Sequence, residues 1–350
     1  LKPGRVAITT AYYPNLVAHA FAVAGLSNSR TDYCAGLDEL GQRFREQTAG
    51  VLAAGSQVGF AAPMAGGPLF TFIYQIPARA GVESAAGVKA VFEASERALG
   101  ARTLGPLMES YPAAASDWGR FYPGPWLDFV FSGDPAPKIR LLLSISSLLQ
   151  ALAGDHFDEW WPGWRRELSS RAAGIQSVAG PLRLVHRWEQ HLGVPCPSGG
   201  LRVLLSRPDR TSASSVGGEA IVAGEGLSDE QVVRSVLHEI GVRMFDPPRA
   251  VEIATGRRTG GEAGSEAGGR EFGIKEYGWL LRCVEAAACA EKQAVAAAAG
   301  LELPGGVDPF VRAMGLTGLV EEWAGMPAGD PVQRVVALFE ATYERLPAAF

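Results

Sequence analysis

The chain has 350 residues, 47% of them hydrophobic and 20% charged, with a formal net charge of -5 at pH 7. This supplies ample material for a core and no basic face, so no nucleic-acid partner is expected. No uncharged apolar run long enough to cross a bilayer occurs, so no membrane span is expected either.

From the N-terminus, Arg5 to Thr10 reads as a strand. Residues 16–25 come nearest to the apolar region of a leader, but Tyr12, Tyr13, Pro14 and Asn15 stand where a basic segment would be. The composition leads to the expectation of a soluble setting; the first residue is Leu1, not Met, which leaves the compartment open between cytoplasmic and exported after removal of an upstream segment. Helix-forming composition with apolar residues at three and four spacing marks residues 36–54, 85–99, 137–153 and 180–192. The segment from Gly67 to Pro77 has the β-branched and aromatic content of a strand or buried extended stretch. His156-Phe-Asp-Glu-Trp-Trp-Pro-Gly-Trp164 is the densest aromatic cluster. It predicts a corner of the core, with a partner-binding surface as the competing reading.

Leu201 to Ser206 and Glu219 to Ala223 read as two more strands, the second joined by a glycine turn, residues 224–226, to a strongly marked helix start. There Ser228 is an N-cap, Gln231 completes a capping box, and Leu227 can staple against Val232. The helix is expected to run to about Phe245, before Asp246-Pro247-Pro248. Val233, Val236, Leu237, Ile240 and Met244 fall on one stripe, while His238, Val242 and Phe245 fall on the opposite side, which predicts burial between two layers. A second helix is expected from Glu276 to Glu291. Between the two, Gly256 to Arg270 is glycine-rich and polar and predicts a mobile loop. Beyond Gly300, residues 308–314, 318–323 and 332–346 read as helices.

Four cysteines, Cys34, Cys196, Cys283 and Cys289, show no C-x-x-C spacing. Cys283 and Cys289 lie about 9 Å apart along a helix axis, too far to bridge, so free buried thiols are expected. Besides His238, the imidazoles are His19, His156, His186 and His191, and none has a spacing to another that marks a metal site.

His238-Glu239-Ile240-Gly241-Val242 matches the pattern H-E-x-x-H except at its last position. In that pattern two imidazoles one helical turn apart hold zinc and the Glu activates a metal-bound water. Strand, turn and a helix bearing Val-Leu-His-Glu-Ile-Gly together resemble the core of the zincin metallopeptidases, and in particular the gluzincin branch, over residues 200–295. The resemblance implies an α+β, helix-rich fold with a zincin-like core and a small sheet beside the motif helix. It also implies His238 as a metal ligand, Glu239 as general base, and a third ligand on the later helix. Glu285, amid Leu281, Val284, Ala288 and Cys289, is the better candidate for that third position, with Glu276 the runner-up.

Val242 removes one ligand, and in the variant spacing H-E-x-x-x-H the second ligand would fall on Arg243, whose guanidinium has no acceptor. Zinc is therefore expected to bind weakly or not at all. The function expected is that of a degenerate metallopeptidase-like protein, its zinc-dependent peptide hydrolysis lost or impaired, with a cleft that holds a peptide or protein segment. The alternative is an active zinc metallopeptidase using His238, Glu285 and an unidentified third ligand, with Glu239 as base. The expected organisation is a mostly helical region with some strands, residues 1–195, packed closely on a zincin-like region, residues 196–350. No oligomeric state is specified by the sequence.

Overall fold

The computed structural model describes residues 5–25, 37–58, 71–121, 124–198, 200–208, 213–215, 220–259, 272–303 and 309–343. Its centre is an open four-stranded sheet made from β1 (Arg5–Thr10), β2 (Gly200–Ser206), β3 (Ala213–Ser215) and β4 (Ala220–Gly224), in the order β1-β2-β4-β3. β1, β2 and β4 are parallel, and β3 closes one edge antiparallel to β4. Parallel neighbours require a crossover. Here the crossover from β1 to β2 carries all the N-terminal helices, so the sheet joins the first residues of the chain to its later half. At the start of β2, a side chain on Gly200 would put its Cβ 2.6 Å from the Arg5 carbonyl oxygen, so the approach of the two strands requires glycine there.

Strand side chains alternate between faces, and this sheet is buried on both. Ile8, Leu201, Val203, Leu205, Ile221 and Ala223 enter one core, and Leu204, Ala220 and Val222 enter the other. The second core holds α1 (Tyr12–Val23), α2 (Arg45–Gln57), α3 (Ala85–Ala101) and α4 (Pro135–Leu152). The first holds α5 (Asp158–Leu182), α6 (Leu184–Leu192), α7 (Asp229–Met244), α8 (Pro247–Thr259), α9 (Ile274–Ala298), α10 (Thr317–Gly325) and α11 (Pro331–Tyr343). The molecule is thus an α+β protein dominated by helices, with a small sheet between two apolar layers. No helix among the described residues is long and apolar enough to cross a membrane.

Several local expectations are corrected. Residues 71–79 are not extended: Thr71–Gln75 form a π-helical turn and Ile76–Arg79 a short α-helix. Phe72, Ile73, Tyr74 and Ile76 are all buried, and a short, wholly apolar run does not distinguish a strand from a buried helix by periodicity. Pro77 sits in the first helical turn, where its missing amide costs nothing. The helix expected over 180–192 is two: α5 ends at Leu182, Arg183 takes the left-handed conformation at φ 50°, and α6 begins at Leu184. The 36–54 segment also divides, at Phe44, into a short helix, Asp38–Arg43, and α2. Part of the expected glycine-rich loop is helical, since α8 continues to Thr259; residues 260–270 of that loop, and Cys34, lie outside the described residues. The cysteines that are described, Cys196, Cys283 and Cys289, are free and buried.

Candidate functional site

The helix start at Ser228 forms as its residues dictate. The Ser228 hydroxyl accepts from the Gln231 amide at 3.2 Å, while the Gln231 side chain accepts from the Ser228 amide at 2.7 Å. Leu227 and Val232 are both buried beside it. α7 then runs for 16 residues with Val233, Val236, Leu237, Ile240 and Met244 buried, as the stripe predicts. Gly241 has a specific reason to be small. Trp188 of α6 packs on α7 at that point and donates its indole N–H to the Leu237 carbonyl at 2.9 Å; a Cβ on Gly241 would come within 2.5 Å of the ring.

The other face of α7 meets α9. There the His238 Nε2 lies 2.9 Å from the Glu285 carboxylate. One turn further along α9, Cys289 places its sulfur 3.8 Å from His238 Nδ1. The imidazole is therefore held at both nitrogens by residues four apart on one helix. Burial works against a charge on His238, but hydrogen bonds with Cys289 and Glu285, together with the Glu285 charge, outweigh it and push the imidazole up to about 10. The 2.9 Å contact with Glu285 thus favours the charged form of the ring. Phe310 lies across it with ring centroids 5.2 Å apart and is itself 39% exposed.

Glu239 points elsewhere. Its carboxylate is 2.8 Å from the Arg243 guanidinium, which also donates to the Glu239 carbonyl at 2.7 Å and to the Ala220 carbonyl of β4 at 3.3 Å. Arg243 is 3% exposed at the side chain and Glu239 13%. A buried cation at this position is tolerable because an anion and two carbonyls face it. Val242 is partly buried against the first core.

Of the residues singled out in the sequence, His238 and Glu285 are brought together, and Glu239 is turned to Arg243. Glu276 belongs to a different structure: it caps α9 by accepting from the Gly273 amide at 3.0 Å and is bonded by the Tyr343 hydroxyl. It lies nine residues from Glu285, about 13 Å along the helix. His186 and His191 do not converge, since His186 faces Glu189 at 3.9 Å and His191 bonds Glu291 at 2.8 Å.

The donor set does not fit a catalytic zinc. Such an ion takes three protein ligands and leaves a position for water. His238 and Glu285 supply two, Val242 and Arg243 none, and the Cys289 sulfur sits at the opposite ring nitrogen from Glu285, so one ion at His238 could not take both. Among the described residues no group of three or more His, Cys, Asp or Glu side chains could hold a metal ion.

Sequence reasoning missed a second titratable contact. His19 of α1 and His156, which are 137 positions apart, bring their Nε2 atoms within 2.8 Å in the N-terminal core. No local spacing announces it, because the crossover between β1 and β2 brings the two together. No family model, curated protein or solved structure matches the chain.

Proposed function

We propose that this protein is a degenerate relative of the zinc metallopeptidases that uses the surface around His238 to hold a peptide or protein segment without cutting it. The observation that carries this reading is the Arg243–Glu239 ion pair at 2.8 Å. In a working site of this kind the carboxylate of Glu239 would face a metal-bound water and take its proton. In this chain a buried guanidinium occupies that carboxylate, and the residue one helical turn after His238 is Val242, which has no donor. The exposed Phe310 beside the His238 ring, and Val242 in place of an imidazole, give the surface an apolar character suited to a chain segment.

The contact of His238 with Glu285 at 2.9 Å favours a second reading, an active zinc peptidase that completes its ligands from a residue outside this pair. Elemental analysis of protein purified without chelator or added metal separates the two. The degenerate reading predicts no zinc that depends on His238 and no hydrolysis of a mixed peptide library. About one zinc per chain, lost on His238→Ala and accompanied by cleavage, would overturn it.

A further inference from the structure

The pair of imidazoles in the N-terminal core has no part in the site above. His19 is fully buried on α1. His156 is 8% exposed and lies in the π-helical segment Ala153–Phe157 that joins α4 to α5. Their Nε2 atoms are 2.8 Å apart. At that distance one nitrogen must carry a proton and the other must not.

The neighbours decide which. Asp155 lies 3.2 Å from His156 Nδ1, and as a carboxylate it accepts from an N–H there. That tautomer leaves His156 Nε2 as the acceptor, so His19 donates the shared proton. The surroundings are aromatic: His19 stacks on Phe157 with centroids 5.7 Å apart, Trp160 lies 4.4 Å from His156, and Trp164 and Phe44 complete the wall. The charged groups reaching the pair from the packed elements are Asp155 on the π segment, Arg43 bonded to Asp155, and, on α5, Asp158, which takes the Tyr12 hydroxyl of α1 at 2.6 Å. Asp155 contacts His156 directly, and it is already shared with Arg43.

We propose that the His19–His156 contact is an acid-released latch that holds α1 against the junction of α4 and α5 at neutral pH and lets go as His19 gains a proton. A proton on His19 places a cation on a fully buried ring walled by Phe157, Trp160 and Trp164, while the Asp155 carboxylate lies at the far nitrogen of His156 and is already shared with Arg43. Burial, and then the charge of His156, holds His19 down at about 3 in the closed form, whereas an exposed imidazole titrates near 6.5. The π segment is where the release acts, because a π turn is an irregularity that a straight helix lacks and such turns gather at functional positions. Trp160, 40% exposed at the edge of His156, gives that ring a way out to solvent. The consequence reaches the sheet. α1 is tied to β2 through Asn15, whose side chain donates to the Leu205 carbonyl at 3.0 Å and accepts from the Arg207 amide at 2.8 Å.

Hydrogen exchange read by mass spectrometry tests this on the whole chain. After correction for intrinsic rates, opening of residues 153–161 should rise roughly 25-fold between pH 7 and pH 5 for the His19 proton alone. In His19→Phe that rise should flatten, while exchange in α9 keeps its wild-type pH dependence. Opening that is independent of pH in the wild type, or a rise that persists unchanged in His19→Phe, would overturn the latch. Because the variant alters a buried position, 15N spectra of the histidine rings in unmodified protein give a second reading. A His19 ring that stays neutral at pH 5 in the closed form supports the latch, and one that titrates near 6.5 without any opening refutes it.

Discussion

Removing the positive charge of Arg243 tests whether Glu239 is locked, as the geometry requires. Arg243→Met keeps most of the stem volume and deletes the guanidinium, leaving a carboxylate that is 13% exposed with no cation 2.8 Å away. Breaking a buried pair from one side costs about 3–5 kcal/mol, and because Glu239 has some access to water the lower end, about 3 kcal/mol, is expected. Glu239→Gln should cost less, about 2 kcal/mol, since the guanidinium keeps the Glu239 and Ala220 carbonyls as acceptors at 2.7 and 3.3 Å. The double variant buries neither charge. It should therefore lose about 3 kcal/mol in place of the roughly 5 that independent effects would give, a coupling of about 2 kcal/mol. Urea unfolding followed by far-UV circular dichroism measures all three, provided the denaturant slope is unchanged, so that midpoint shifts report stability alone. Losses that add to within about 0.5 kcal/mol would refute the lock, because residues in a shared ion pair cannot act independently by that margin.

Gly241→Ala should destabilise by about 1–3 kcal/mol, because its Cβ meets the buried Trp188 ring at 2.5 Å; Trp188→Phe in the same chain should recover part of the loss, and a Gly241→Ala protein with wild-type stability would show that the indole moves freely. Glu291 is bonded by His191 and by the Trp323 indole at 2.8 Å each. Burial opposes its charge, but those hydrogen bonds, and then the charges of His191 and Arg334, hold its carboxyl below the usual value. Its contribution is therefore present above the ordinary glutamate range and lost as pH falls through it, so Glu291→Gln should flatten the stability profile between about pH 5 and pH 3, and an unchanged profile counts against the network. Val242→His should take up one zinc per chain beyond the wild type, lost again on adding Glu285→Ala, because His238 and Glu285 already meet at 2.9 Å and positions 238 and 242 share a helix face; a folded variant without zinc would mean that these helices do not have a ligating geometry.

The sequence was legible where a structure is encoded locally. The capping box at Ser228, the apolar stripe of α7 and the existence of β1, β2 and β4 as strands, though not their parallel pairing, follow from residues that are neighbours in the chain or lie at helical spacing. Glu285 was marked by the cost of leaving a carboxylate unpaired among Leu281, Val284 and Ala288, and the partner that meets this cost is His238 at 2.9 Å. What escaped was set by tertiary context. The run at 71–76 is apolar on every side, so neither period could show in it, and the packing around Phe72 and Ile73 selected the helix. His19 and His156 meet only because a long crossover folds back on β1, which no spacing encodes.

Arg243 lies between these cases, and its position explains how α7 buries a carboxylate and a guanidinium together. Glu239 and Arg243 are four apart, an ordinary helical ion pair by spacing alone. What spacing does not reveal is that the pair is buried beside β4, with the Ala220 carbonyl completing the guanidinium's partners. A buried Glu239 without metal or water would carry an uncompensated charge, and an arginine one turn later supplies the compensation from within α7. His238 solves the same problem on the adjoining face by pairing with Glu285. His238, Glu239 and Arg243 thus each have a charged partner inside the protein, so the charges on these faces of α7 are compensated within the chain.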